Sequence, residues 1–267
     1  MTASSGPWLD RTTVRLRYAT GEELRFSSHL DTMREIERLL RRAELPVLYS
    51  EGYSQRPKIS AGPPLALGWT SSCEWIDLRL AGEWSEENLA GLLETLNRHS
   101  VDGMKFLSAG VMEKRVKALM ESIDSSTYLA ELPSPPFETS LGELEQRFRK
   151  LLDAESVIVT REHKGLVKHI DVRPLIRDVS VLSQNELMLT VSSGRNGSVK
   201  PTEVIRAALD ITDEAVPLIK IKKVGVATAE GETPLAGAVA LAEVEDFETR
   251  NTNYWEPARE ARGYSGG

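Results

Sequence analysis

The sequence predicts an α+β protein built as two tandem βαββαβ units, each an antiparallel sheet with its helices on one face. Three observations carry that expectation. Short stretches alternate apolar with polar residues, as half-buried strands do. Four other stretches repeat apolar residues at helical spacing. Along the 267 residues the two kinds follow one another as strand, helix, strand, strand, helix, strand, and then do so again. That is the ferredoxin-like order.

The elements follow in turn. TVRLRYA, residues 13–19, sets Val14, Leu16 and Tyr18 on one side of a strand and Arg15 and Arg17 on the other. Leu30, Met33, Ile36, Leu40 and Ala43 then recur at helical spacing until Pro46, which predicts a helix of about four turns. Residues 45–69, LPVLYSEGYSQRPKISAGPPLALGW, are rich in Gly and Pro and predict short extended pieces between turns. CEWIDLRL (73–80) is a strand with Ile76, Leu78 and Leu80 on one face, residues 85–99 an amphipathic helix, and 101–112 extended.

In the second half, STYLAEL (126–132) is a strand. Residues 140–153 are a helix with Leu141, Leu144, Phe148 and Leu151 in register and a Ser140…Glu143 capping box. A hairpin turns around His163, Lys164 and Gly165, and RDVSVL and ELMLTVSS (186–193) follow as strands. KPTEVIRAALD is a helix with Pro201 in its first turn, and VPLIKIKKVGV closes as a strand. The expected units are 11–118 and 122–228, with the boundary near 115–125. Residues 1–10 and 247–267, polar or glycine-rich without periodicity, are expected to be poorly ordered.

Composition narrows the function. No apolar run nears the length of a membrane span, and MTASSGPWLDR lacks the features of a signal peptide, so a cytoplasmic protein without membrane contact is expected. Cys73 is the only cysteine, which excludes intramolecular disulfides and cysteine-built zinc or iron–sulfur sites. No metal and no cofactor is predicted. The net charge of −7 opposes a general nucleic-acid coat, but the excess is uneven. Residues 1–120 carry 16 Lys+Arg against 16 Asp+Glu, and residues 121–267 carry 17 against 24. A polyanion would favour the first half.

The motifs gather there. In SSHLD, Ser28 and Asp31 fit a helix cap, with the acid in the positive first turn. His29 is a weak helix former at the first helical position, where it can act as general acid/base or meet a phosphate beside free amides. Arg34 and Arg38 share a stripe with Arg41, partly offset by Glu35, Glu37 and Glu44; it reads either as a solvated face or as a phosphate-facing one. The polar sides of the strands place Arg15, Arg17, Trp75, Asp77 and Arg79 together, either a stacking platform for single-stranded RNA or a face covered by the second half. In EGYSQRPKISAGPPLALG, Tyr53, Arg56 and Lys58 accompany glycines that permit close approach, in a loop that matches no nucleotide-binding fingerprint. His163 and His169 lack the spacing of a metal pair.

The stretch from Glu23 to Leu80 resembles the radical SAM-linked bacterial domain family of unknown function. The shared signature is a strand ending in Phe and S-H-L-D, a helix ending R-R-A-x-L-P, then S-E-G-[FY]-x-x-x-P-K-[IL]-S and P-L-x-L-G. Ile170 to Pro174 and the helix start from Lys200 extend the likeness, which covers about residues 12–228. The resemblance implies work beside radical SAM proteins and on RNA or the translation apparatus. This chain has no C-x-x-x-C-x-x-C, so it would assist a separate enzyme. The fold order and His29 also resemble, more distantly, metal-independent endoribonucleases that process CRISPR transcripts, which would make His29 a catalytic proton shuttle with Arg56 or Lys58 on the phosphate.

Three functions are therefore expected to compete. The first is an RNA-binding or RNA-modification accessory protein, its partner tRNA or rRNA, using His29, Arg34, Arg38, Arg56 and Lys58 at one surface. The second is a metal-independent ribonuclease. The third is a docking scaffold for a radical SAM enzyme that touches no RNA.

Overall fold

The computed structural model describes residues 11–113, 117–133, 139–194, 197–209, 211–235 and 239–240. The expectations for residues 1–10 and 247–267 fall outside them. Among the described residues the fold is mixed α+β, a large, mostly antiparallel sheet with five helices. Its first half runs β1 (Arg11–Thr20), α1 (His29–Arg42), β2 (Ile59–Ala61), β3 (Thr70–Ala81), α2 (Glu86–His99) and β4 (Met104–Met112). A short α3 (Leu119–Ser122) leads into β5 (Ile123–Glu131), α4 (Leu141–Asp153), β6 (Ile158–His163) and β7 (Leu166–Asp171). Then come β8 (Ile176–Val181), β9 (Glu186–Gly194), β10 (Gly197–Ser198), α5 (Pro201–Leu209), β11 (Lys220–Thr228) and β12 (Val239–Ala240).

The strands do not form a separate sheet in each half. β4, β1, β3 and β2 pair in that order, β11, β5, β9 and β8 pair in theirs, and β11 joins β3 in parallel at Lys222↔Thr70 and Lys223↔Ser71. One ten-stranded sheet results. β6 and β7 stand apart as a ribbon whose turn is Lys164–Gly165, both at positive φ (51° and 76°) as a two-residue hairpin of right-handed twist requires.

Each half buries its own core. Val14, Leu16, Ile76, Leu78 and Leu80 meet Ile36, Leu39 and Leu40 of α1 and the four leucines of α2. Tyr128, Ala130, Leu187 and Leu189 meet Leu144, Phe148 and Leu151 of α4 and Val204 and Ile205 of α5. Two helical positions depart from the periodic expectation: Leu30 and Leu141 lie in first turns and are 66% and 40% exposed. A third cluster, Cys73, Trp75, Leu119, Ile123, Val226 and Leu235, covers the opposite face of the central strands.

That third cluster decides between the two readings of the polar strand face, for a covered face and against a stacking platform. Arg15, Trp75 and Asp77 are buried under α3 and the segment after β11, and Arg17 is half-buried, its Nε donating to the Ser72 carbonyl at 3.0 Å. Of that face only Arg79 is exposed. Buried Trp75 has no face on which a base can stack. Its indole N–H is spent on Cys73 Sγ at 3.3 Å.

Candidate functional site

α1 begins as the sequence dictates. Ser28 is extended (φ −68°, ψ 159°), and its Oγ accepts from the Asp31 amide at 3.2 Å and donates to the Asp31 carboxylate at 2.6 Å. That hydrogen bond, with Arg34 at 3.2 Å, holds the Asp31 carboxyl below its usual range. His29 follows at the first helical position, exposed to solvent. Two of the three arginines of the stripe are matched on their own helix: Arg34 pairs with Asp31, and Arg38 (3.4 Å) pairs with Glu35, which Arg42 from outside the stripe also reaches (2.8 Å). Neutralised this way, Arg34 and Arg38 offer a phosphate less than their count implies.

Beneath the first turn of α1 lies a small recess lined by Thr20, Arg25, Ser27, His29, Trp69 and Glu74, among others. The chain folds into it for local reasons. Gly68, at φ 85°, a backbone angle that favours glycine, donates its N–H to the Arg25 carbonyl at 2.7 Å. Arg25 reaches Glu22 at 2.7 Å, and its guanidinium carbon stands 4.7 Å from the centre of the Phe26 ring. Phe26 itself is 72% exposed.

The floor of the recess is charged. Glu74 of β3 lies 2.8 Å from Lys223 of β11, and both are buried. Burial, the largest single influence, would lower the Lys223 pKa, but the charge and hydrogen bond of Glu74 together with Tyr128 and Cys73 outweigh it and leave the ammonium raised. Burial and then Glu74 push the Tyr18 hydroxyl well above its ordinary value. Lys223 also donates to the Pro63 carbonyl at 3.3 Å, tying down the Gly62–Gly68 loop.

Tyr53, Arg56 and Lys58 occupy a different place. They ride on an excursion between Val47 and Ile59, closed by Ser50 N–H to the Arg56 carbonyl (2.8 Å) and by Lys58 N–H to the Leu48 carbonyl (2.7 Å). Arg79 N–H donates to the Lys58 carbonyl at 3.2 Å, so the excursion leaves the sheet at Arg79. Glu74 and Arg79 are five residues apart on β3, about 17 Å along the strand. The single surface expected for His29, Arg56 and Lys58 is therefore split between two levels of the sheet. Tyr53 is fully exposed, and Arg56 and Lys58 make no ion pair among the described residues.

Sequence reasoning missed Thr20, Arg25, Glu74 and Lys223. A signal was present for two of them. Glu74 shares the strand face of Ile76 and Leu78, and Lys223 that of Ile221, so each puts a charge at a core position. Among the described residues, no group of three or more His, Cys, Asp and Glu side chains is placed to hold a metal ion, and no helix is long and apolar enough to cross a membrane.

The family model described as "uncharacterized protein conserved in bacteria (DUF2344)" matches residues 13–201, from β1 to the start of α5. No curated protein matches the chain.

Proposed function

The chain belongs to that bacterial family, and from this premise we propose that it is an RNA-binding accessory protein acting with a separate RNA-modifying, RNA-processing or radical SAM enzyme. The observation that carries the reading is the pairing of exposed aromatic rings with cations at two levels of the first half, on a chain of net charge −7. Phe26 beneath Arg25 stands at one level, with His29 exposed three residues on; at the other, exposed Tyr53 shares one excursion of the chain with Arg56 and Lys58. Rings that stack bases beside cations that meet phosphates are what a single strand requires. One phosphate does not bridge about 17 Å of strand, but a short run of nucleotides does. The fold adds support: the orders β4-β1-β3-β2 and β11-β5-β9-β8 follow one pattern, as expected of two ferredoxin-like halves.

The ribonuclease reading, with His29 and Lys58 or Arg56 on the same phosphate, loses its geometry through that separation. The docking reading keeps one specific observation: Phe26, Leu30 and Leu67 are apolar and 72%, 66% and 62% exposed. Surfaces of that kind bind proteins.

A salt titration of binding to total bacterial RNA tests the proposal. Arg56→Ala and Lys58→Ala are each expected to weaken binding and to lower the salt slope by about 0.7, one phosphate contact on a single strand. Unchanged affinity and slope in both would remove the assigned surface. Capture of a radical SAM enzyme after nuclease treatment, lost in Phe26→Ala, would decide for docking.

A further inference from the structure

Four buried side-chain polar atoms lack a hydrogen-bond partner among the described residues: Thr20 Oγ1, Arg25 Nε, Glu74 Oε1 and Thr228 Oγ1. Three of these four belong to residues that line the recess under α1. Buried polar groups are otherwise satisfied almost without exception, because an unmet donor or acceptor costs its full desolvation. Glu74 Oε1 lies 2.8 Å from the Lys223 ammonium, an ion pair that engages one side of the oxygen and leaves its remaining acceptor capacity unmet. Thr20 and Glu74 are more than nine-tenths buried. Such a concentration of unmet groups at one small opening marks a place shaped for something polar.

We propose that the recess receives the exocyclic amino group of an unpaired nucleobase, adenine or cytosine, while the ring of that base lies on Phe26. The proposal rests on the RNA-binding reading and names the base that this part of the surface selects. Size comes first. The interior is about 20 Å³, room for one group of water size, so only a leading atom enters and the rest of the ligand stays at the rim. Polarity comes next. Glu74 Oε1 accepts and Thr20 Oγ1 can accept, so the entering atom must donate twice; Arg25 Nε–H donates, so an acceptor must stand beside it.

An amino nitrogen flanked by a ring nitrogen has that pattern. Adenine and cytosine present it on their Watson–Crick edges, whereas uracil would set a carbonyl lone pair against the Glu74 carboxylate, and the amino group of guanine is flanked there by a second donor. Phe26 is exposed for stacking, and Arg25, 4.7 Å from its ring centre, ties that platform to the recess. A Cβ added at Gly68 would stand 4.0 Å from the same ring, so glycine there keeps that edge of Phe26 open.

Fluorescence anisotropy with labelled oligo(A), oligo(C) and oligo(U) of equal length, on the full chain at one salt concentration, tests this. Oligo(A) and oligo(C) are expected to bind about tenfold more tightly than oligo(U), the discrimination of one good base contact. Thr20→Val keeps the side-chain shape and removes a hydroxyl that has no partner, so the fold is expected to persist with an unchanged or higher Tm while the preference collapses. Its salt slope is expected to stay the same, because no phosphate contact is altered. Equal binding of all three oligomers by the parent chain would overturn the base assignment and leave the RNA reading standing. Preference retained in both Thr20→Val and Glu74→Gln would overturn it too. Binding to none of them would overturn both readings and leave the recess to a side chain of a protein partner.

Discussion

Arg15 is held by Asp77 across β1 and β3, Nε to Oδ1 at 2.7 Å and Nη2 to Oδ2 at 2.9 Å, and its third donor meets the Pro234 carbonyl at 2.8 Å. Both residues are buried, so each charge depends on the other. Asp77→Ala would strand a guanidinium in a dry site, and a loss of about 3–5 kcal/mol is expected in urea unfolding. The double change Arg15→Met/Asp77→Leu should recover most of that loss, because no unpaired charge remains. A single variant as stable as the parent would mean that water reaches Arg15. The alternation of TVRLRYA revealed which side of the strand carries Arg15. What lies over that side was hidden, because the cover comes from Pro234 and Leu235, more than two hundred residues later. Leu235 fits only because residue 110 is glycine: a Cβ there would stand 2.6 Å from Leu235 Cδ1.

α1 shows how far local chemistry can be read directly. Ser28 as cap, Asp31 in the first turn, fourteen helical residues and the stop before Pro46 were all legible, since each depends only on near neighbours along the chain. Ser28→Ala is expected to cost about 1 kcal/mol, seen as a lowered Tm, and Ser28→Gly only a few tenths, because glycine leaves the cap open to water. Equal losses in the two variants would assign the effect to backbone flexibility instead. The capping role and a ligand role are compatible here. The cap uses Ser28 and Asp31, whereas the recess beneath the same turn is lined by Thr20, Arg25 and Glu74. The helical period also placed Leu30 inside, where the structure leaves it 66% exposed. Periodicity describes a helix as if it were covered along its full length, and the first turn of α1 leaves Leu30 uncovered.

At the scale of the whole molecule, the two halves share one sheet and one buried charged seam. The succession of strands and helices along the chain was legible from its pattern, but the parallel contact between β3 and β11 was not, because pairing between distant edges leaves no local period. The seam makes stability depend on pH in one direction. Cys73, Tyr18, Tyr128 and Lys223 all hold their protons more firmly when folded: burial raises the first three, and Glu74 raises Lys223 against burial. A pKa raised by folding contributes stability that is fully present below the unfolded value and lost as pH rises through the folded one. The ordinary values are 9.0 for Cys73, 10.0 for the tyrosines and 10.5 for Lys223. The Tm is therefore expected to hold from pH 7 to about 9 and then fall with increasing slope to pH 11. Glu74→Gln should bring the fall to lower pH, because an unpaired buried Lys223 sheds its proton more readily. Since β3 and β11 belong to different halves, loss of the seam at high pH should unfold both cores together. Two separate alkaline transitions would instead mean that each half keeps its core without the other.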